Sequence, residues 1–285
     1  MNSLVSVDWD FFIPHGMFED VQVQGHTMPG MLVYDWQMSE TRAPEFEMEI
    51  WKTRAYNFRE WKLDIDKLTY PPLTPQDFAL QVSARMGEDV MPMAWRADSH
   101  AWGAILCRDM AHSGPINVIN FDAHHDLGYT DEDPLADFKA TGRLSCDNWA
   151  LVGLHEGWIK NYTIVYPDWL GRKEWMPTEI RIKPWRKQIK VTTWSKWLTY
   201  GKIPNAEMMF FCRSSSWTPP WLDQGFQTLT EEFGYSGCLD CDMKHNSPFD
   251  TCEMREWDWE AVEAEHDARK RMIAEVRKIN KKILK

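Results

Sequence analysis

What the sequence lacks narrows its partners first. It has no basic face outside its last stretch: 32 lysines and arginines stand against 43 aspartates and glutamates, a formal net charge of -11. Binding a phosphate backbone needs positive charge along one surface, so nucleic acid is excluded as the main partner and a cationic substrate is favoured. Long apolar runs are missing too, and the opening MNSLVSVDWDFF carries no lysine or arginine and meets two aspartates early. Neither a membrane span nor a secretory leader is expected, and the sequence reads as a soluble, cytoplasmic protein without a membrane partner. Cysteine is sparse and scattered, at positions 107, 146, 212, 238, 241 and 252. That spacing lacks the density of a disulfide scaffold, so reduced thiols are expected. Tryptophan is the opposite case: 17 of them suit a chain that presents rigid amphipathic surfaces to a ligand, besides those that fill the core.

With 285 residues, 44% hydrophobic and 26% charged, the composition is that of an ordinary globular chain, and a single domain over 1–285 is expected. Short β-type runs recur: LVSVDWDFF, INVINFDAHHD, YTIVYPDW, QIKVTTW, AEMMFFCRSSSW and YSGCLDCDMK. Continuous apolar runs with helical patterns between them are what a parallel sheet covered on both faces requires. The fold class is therefore α/β, a mostly parallel sheet flanked by helices on both faces. In LTPQDFALQVSARM, Thr74 can cap a helix, Pro75 fits its first turn and Asp77 supplies the acidic residue of a capping box. A second helix is predicted from Ser99 to the stop signal at Gly114. An irregular excursion over about 14–72, rich in Met, Trp, Glu and Pro, is placed to cover a site. From about 253 to 284 the chain is acidic first and basic last, the order that complements a helix dipole, with Met272, Val276, Ile279 and Ile283 in a stripe at helical spacing.

Chemistry concentrates in NVINFDAHHDLGYT, an apolar run that ends in Asp122, His124, His125 and Asp126. Strand alternation directs Asp122 and His124 to one side, and Asp126 can curl back to the same space. Oxygen and imidazole donors suit hard to borderline divalent ions, although a strand end closed by a salt bridge is an alternative. The first strand also turns from apolar residues to carboxylates, Asp8 and Asp10. Parallel strands that end in carboxylates gather them at the carboxyl edge of the sheet, where open α/β sheets bind ligands. Four carboxylates there repel unless cations sit between them, and two divalent ions roughly 3.5–4 Å apart are the usual solution.

Together DSH at 98–100, DAHHD at 122–126 and SVDWD at 6–10 resemble the metal set of the ureohydrolase superfamily, the arginases and agmatinases. In a standard arginase the DxD strand follows DAHxD, whereas here it opens the chain. DWDFF at 8–12, SCDNW at 145–149 and CRSS at 212–215 resemble a divergent branch that includes the peptide arginases, which convert arginine side chains of a ribosomal precursor peptide to ornithine. The resemblance implies an arginase-like three-layer α/β/α fold with the metal-binding strand permuted to the N-terminus. It also implies two Mn(II) ions held by Asp8, Asp10, His100, Asp122, His124 and Asp126, with Asp126 and His124 active in catalysis. Substrate contacts fall to Asp147, Asn148, His125, Asp240 and Asp242, and Asp240 with Asp242 is also a rival for the DxD pair. The implied substrate is an arginine-containing peptide, with a homo-oligomer open. Alternatives are an agmatinase-like or free-arginine ureohydrolase, a deacetylase-like metal amidohydrolase, and a non-catalytic module that keeps metal for structure. Cys238, Cys241, His245 and Cys252 fit no strong zinc template and read as buried thiols.

Overall fold

The structure is a computed structural model that describes residues 1–13, 73–87, 91–129, 133–170, 182–214 and 217–239, with the short pieces 21–23, 26–28 and 51–52 and positions 56, 260, 264, 267, 268 and 271. In chain order its regular elements begin with β1 (Ser3–Asp8), the pair β2 (Val21–Val23) and β3 (His26–Met28), α1 (Pro75–Met86), β4 (Met93–Ala97) and α2 (Trp102–Met110). They continue with β5 (Ile116–Phe121), α3 (Ala136–Thr141), α4 (Trp149–His155), β6 (Ile159–Tyr166) and β7 (Ile189–Thr193). The last are α5 (Trp194–Tyr200), β8 (Ala206–Cys212), α6 (Asp223–Glu232) and β9 (Gly237–Cys238).

Seven strands form one sheet in the order β7-β6-β5-β1-β8-β4-β9, and every pairing in it is parallel. Parallel strands must be covered on both faces, and successive side chains of each strand go to opposite apolar layers. Leu4, Val118, Ile164, Met208 and Phe210 lie on one face, packed with Ala104 and Met110 of α2 and Trp149 and Leu151 of α4. Val5, Val7, Ile119, Phe121, Val165, Met209 and Phe211 lie on the other with Phe78 and Val82 of α1, Trp194 and Trp197 of α5, and Phe226 and Leu229 of α6. The result is the three-layer α/β/α arrangement that the apolar runs predict.

All six predicted β-runs contain a strand; the short β2 and β3 and, in the main sheet, β4 were not predicted. β4 reads MAWRA, opens on a half-exposed Met93 and carries Arg96, so it offers neither a continuous apolar run nor a clean alternation. Residues near Thr74 follow the capping prediction: its hydroxyl oxygen accepts from the Asp77 amide at 3.1 Å, and Pro75 opens α1. The reciprocal bond differs from a capping box, because the Thr74 hydroxyl itself donates to the Asp77 carboxylate at 2.8 Å. The second predicted helix starts at Trp102, three residues later than Ser99, because residues 99–101 form a turn in which the Ser99 hydroxyl accepts from the Ala101 amide.

Most of the excursion over 14–72 lies outside the described residues, as does the stripe from Met272 to Ile283. Within the excursion, β2 and β3 pair antiparallel, and Trp51 is fully buried against Trp221, joined to the core that holds α1, α5 and α6. Glu260, Ala264, Asp267, Ala268 and Arg271 are helical and exposed. Among the described residues no helix is long and apolar enough to cross a membrane.

Candidate metal centre

The central strand β1 lies between β5 and β8, and these strands, with β4 beyond β8, end at the same edge. Each carries a polar residue there or just beyond: Asp8 ends β1, Asp122 follows β5, Cys212 ends β8, and the turn Asp98–His100 follows β4. The chain runs outward from β5 through β6 and β7, then returns to β8 on the other side of β1, so the edge beside β1 is where the strand order reverses. Crevices in open α/β sheets form at such a point.

Two local turns aim the carboxylates. β1 stops at Asp8, and Trp9–Phe12 is a single 3-10 turn whose first amides need an acceptor; the Asp8 carboxylate takes the Asp10 amide at 3.0 Å. Asp10 therefore reaches the site from a turn and not by the strand alternation expected of it. The same holds for Asp122 and His124, because β5 ends at Phe121. The Asp122 carboxylate accepts the His124 amide at 2.6 Å, and Asp10 accepts the Ala123 amide at 3.2 Å. Asp126 curls back with φ of 53°, in the left-handed region, and Ser214 beside the site has φ of 52°. Such backbones cost on the order of 1–2 kcal/mol in a residue with a side chain, and both are spent where side chains must be aimed at one point.

The six residues named as metal ligands converge. His100 Nδ1 faces Asp126 at 3.0 Å, Asp8 at 3.1 Å and Asp122 at 3.3 Å. His124 Nδ1 faces Asp10 at 2.6 Å and Asp122 at 3.7 Å. Two overlapping donor sets result, His100 with Asp122 and Asp126, and His124 with Asp10 and Asp122, each compact enough to hold a metal ion. Asp122 belongs to both, one oxygen toward each imidazole. A third set adds a residue that sequence reasoning passed over, Cys212, whose sulfur groups with Asp8 and His100. Reduced thiols were expected, and among the described residues Cys107, Cys146, Cys212 and Cys238 form no disulfide.

A layer of outer hydrogen bonds orients these donors. Ser6 Oγ meets His100 Nε2 at 2.7 Å, Ser214 Oγ donates to Asp8 at 2.6 Å, and Asn120 Nδ2 donates to Asp122 at 2.9 Å. Trp149 Nε1 donates to Asp126 Oδ2 at 2.6 Å. Partners of this kind fix ring orientation and ligand basicity in metal sites. None had been predicted as a site residue. The signal for Ser6 and Asn120 is in the sequence nonetheless, since each is a polar residue inside an otherwise apolar strand and must find a partner there.

The electrostatics are those of negative charge in need of cations. Burial and the Asp8 and Asp122 carboxylates push the Asp10 carboxyl well above the usual range. Burial and Asp122 push Asp126 up to about 7. Burial opposes ionisation of Asp122 too, but hydrogen bonds from His100 and His124 outweigh it and hold that carboxyl below the usual range. Both imidazoles are raised well above 6.5: burial opposes their charge, and the carboxylates around them overcome it. Protons thus stand where cations would stand, and four carboxylates with two imidazoles supply the oxygen and nitrogen donors that suit hard to borderline divalent ions.

No family model, curated protein or solved structure matches the chain. The chemistry of the site is therefore read from its own donors.

The remaining predicted site residues are distributed differently. His125 is buried; its Nδ1 accepts the Leu127 amide at 3.0 Å and its ring stacks on Tyr129 at 4.1 Å. Asn148 uses its side chain within the protein, accepting from the Ser145 amide at 3.2 Å and donating to the Pro134 carbonyl at 3.1 Å. The Asp147 carboxylate takes the Ser145 hydroxyl, and its carbonyl accepts the Gly128 amide at 2.8 Å. The segment 145–149 thus buttresses the loop of Asp126, and no hydrogen bond or ion pair joins Asp147 or Asn148 to the cluster. Asp240, Asp242, Cys241, His245 and Cys252 lie outside the described residues. β9, which precedes them, is an edge strand paired with β4, two strands removed from β1.

Proposed function

We propose that this protein is a binuclear metal hydrolase that converts arginine side chains of a peptide to ornithine with release of urea. The observation that carries the reading is the pair of donor sets sharing Asp122, built from four carboxylates and two imidazoles at the carboxyl edge of a parallel sheet. Asp8, Asp10, His100, Asp122, His124 and Asp126 would hold two Mn(II) ions. When bound, such ions act as Lewis acids and lower the pKa of water toward about 7, which supplies a hydroxide at neutral pH.

The protein's own groups have three tasks. Asp126, fixed by Trp149, is placed to orient the attacking water through a hydrogen bond. His124 is the exposed member of the set, with 21% of its side chain in solvent against 2% for His100, so substrate approaches on its side. The carboxylate-rich interior selects a cation, in keeping with the overall negative charge. In the reaction a C–O bond forms at the guanidinium carbon, its bond to the side-chain Nε breaks, and the amine leaves protonated beside neutral urea.

The test is mass spectrometry of an arginine-containing peptide, and separately of free arginine, after incubation with Mn(II)-loaded protein. Ornithine in the peptide with urea released, both lost in Asp122→Asn, supports the reading. Turnover of free arginine alone shifts the substrate class to small guanidines. No turnover of either, with metal bound, overturns guanidine hydrolysis and makes acetylated amines the next substrates; inactivity toward those too leaves a structural metal module.

A further inference from the structure

The buried cluster meets solvent at His124, and two aromatic rings stand beside it there. Tyr129 lies edge-on to the His124 ring at 6.0 Å, and Trp217 lies at 6.3 Å with a tilt of 56°. They come from different parts of the sheet edge, Tyr129 from the loop after β5 and Trp217 from the turn after β8. Both are held in place. The Tyr129 hydroxyl accepts the His125 amide at 2.7 Å while its ring stacks on His125, and the Trp217 amide donates to the Ser214 carbonyl at 2.7 Å. Tyr129 nevertheless keeps 37% of its surface exposed, and Trp217 is half-buried. One face of Tyr129 is covered by His125, but its other face and the Trp217 ring stand beside a carboxylate cluster, and the faces of such rings attract cations.

We propose that Tyr129 and Trp217 form an aromatic mouth that receives the cationic side chain of an extended substrate and guides it to the cluster. The assignment rests on the hydrolase reading for its substrate, a basic side chain on a peptide, and gives that reading two specificity-determining residues. The rings discriminate charge, since a neutral side chain of equal length gains their apolar contact and loses the attraction to their faces.

The experiment is calorimetric titration of the Mn(II)-loaded protein with a short peptide carrying one lysine, a cation with no guanidinium to hydrolyse, and with the same peptide carrying norleucine. The wild-type protein is expected to bind the lysine peptide about tenfold more tightly. Trp217→Leu and Tyr129→Leu are each expected to remove most of that preference with bound metal unchanged, and Trp217→Phe, which keeps a ring, to retain most of it. Equal binding of both peptides by the wild-type protein, binding of neither, or full preference in both leucine variants overturns the mouth. Binding needs no turnover, so the two ideas fail separately. Charge discrimination without urea release sinks the hydrolase and keeps the mouth, whereas urea release with unchanged KM in both leucine variants does the reverse.

Discussion

Asp122 is fully buried with one oxygen toward each imidazole, and it keeps its charge only because His100, His124 and Asn120 surround it. Removing its charge breaks both donor sets at once, whereas removing an outer partner loosens one. Trp149→Phe keeps the ring that packs between α2 and α4 and deletes the bond to Asp126, so metal affinity should fall about 10–100-fold with the fold intact. Calorimetric metal titration with a circular dichroism control measures this, and unchanged affinity would show that Asp126 needs no such support. Asp8→Asn should strip bound metal while Asp240→Asn leaves it, as read by elemental analysis of the purified variants; the reverse result moves the DxD pair to Asp240 and Asp242. The convergence of these carboxylates and imidazoles was legible because all of them stand at or just past the ends of strands that share one edge of a parallel sheet. Ser6, Asn120 and Cys212 were not singled out, because a small polar or thiol side chain inside a strand looks like tolerated core until its neighbour across the sheet is known. Asp147 and Asn148, expected to contact substrate, have their side chains engaged within the protein, the Asn148 amide fastening a turn.

Among elements, α2 and α4 are held together at a point with no slack. A Cβ added to Gly103 of α2 would sit 2.7 Å from the Trp149 ring of α4. Gly103→Ala should therefore destabilise the protein by about 1–3 kcal/mol in denaturant unfolding, and also weaken metal binding, because the ring that must move carries the Asp126 bond. Loss of stability without loss of metal affinity would separate the two helices' packing from the site. Thr74→Ala, at a cap remote from the cluster, should cost about 1 kcal/mol and leave metal affinity alone, which makes it the control. Strands with continuous apolar runs could be read from sequence because both their faces are buried. β4 escaped because its short run is interrupted by Arg96, whose guanidinium lies over the Tyr235 ring at 4.4 Å. α4 and α6 escaped for a different reason: α4 is apolar nearly throughout and so lacks a helical stripe, and α6 begins without a side-chain cap.

For the whole molecule, the cluster links stability to pH. In the metal-free protein His100, His124, Asp10 and Asp126 all bind protons more tightly folded than unfolded. Their stabilisation is complete below the unfolded values and is lost as pH rises through the folded ones, which for Asp126 is about 7 and for the imidazoles lies above 6.5. Asp122 has the opposite sign and matters only in acid. The melting temperature of metal-free protein should thus fall between about pH 6 and about pH 8 and be restored by Mn(II), with protons released on loading. Calorimetry in buffers of differing ionisation enthalpy counts those protons, and a metal-free Tm that holds steady through this window would count against the charge assignment. One feature of the sheet also governs how the molecule is made. β1 pairs with residues 117–121 on one side and 206–212 on the other, so it is made roughly 200 residues before its second neighbour exists. At ~5–20 residues per second that is on the order of 10–40 s during which an apolar strand ending in Asp8 is without its final partners. Until β8 is made, β1 can pair on its β5 side alone, and the edge that β8 later covers stays open to other chains.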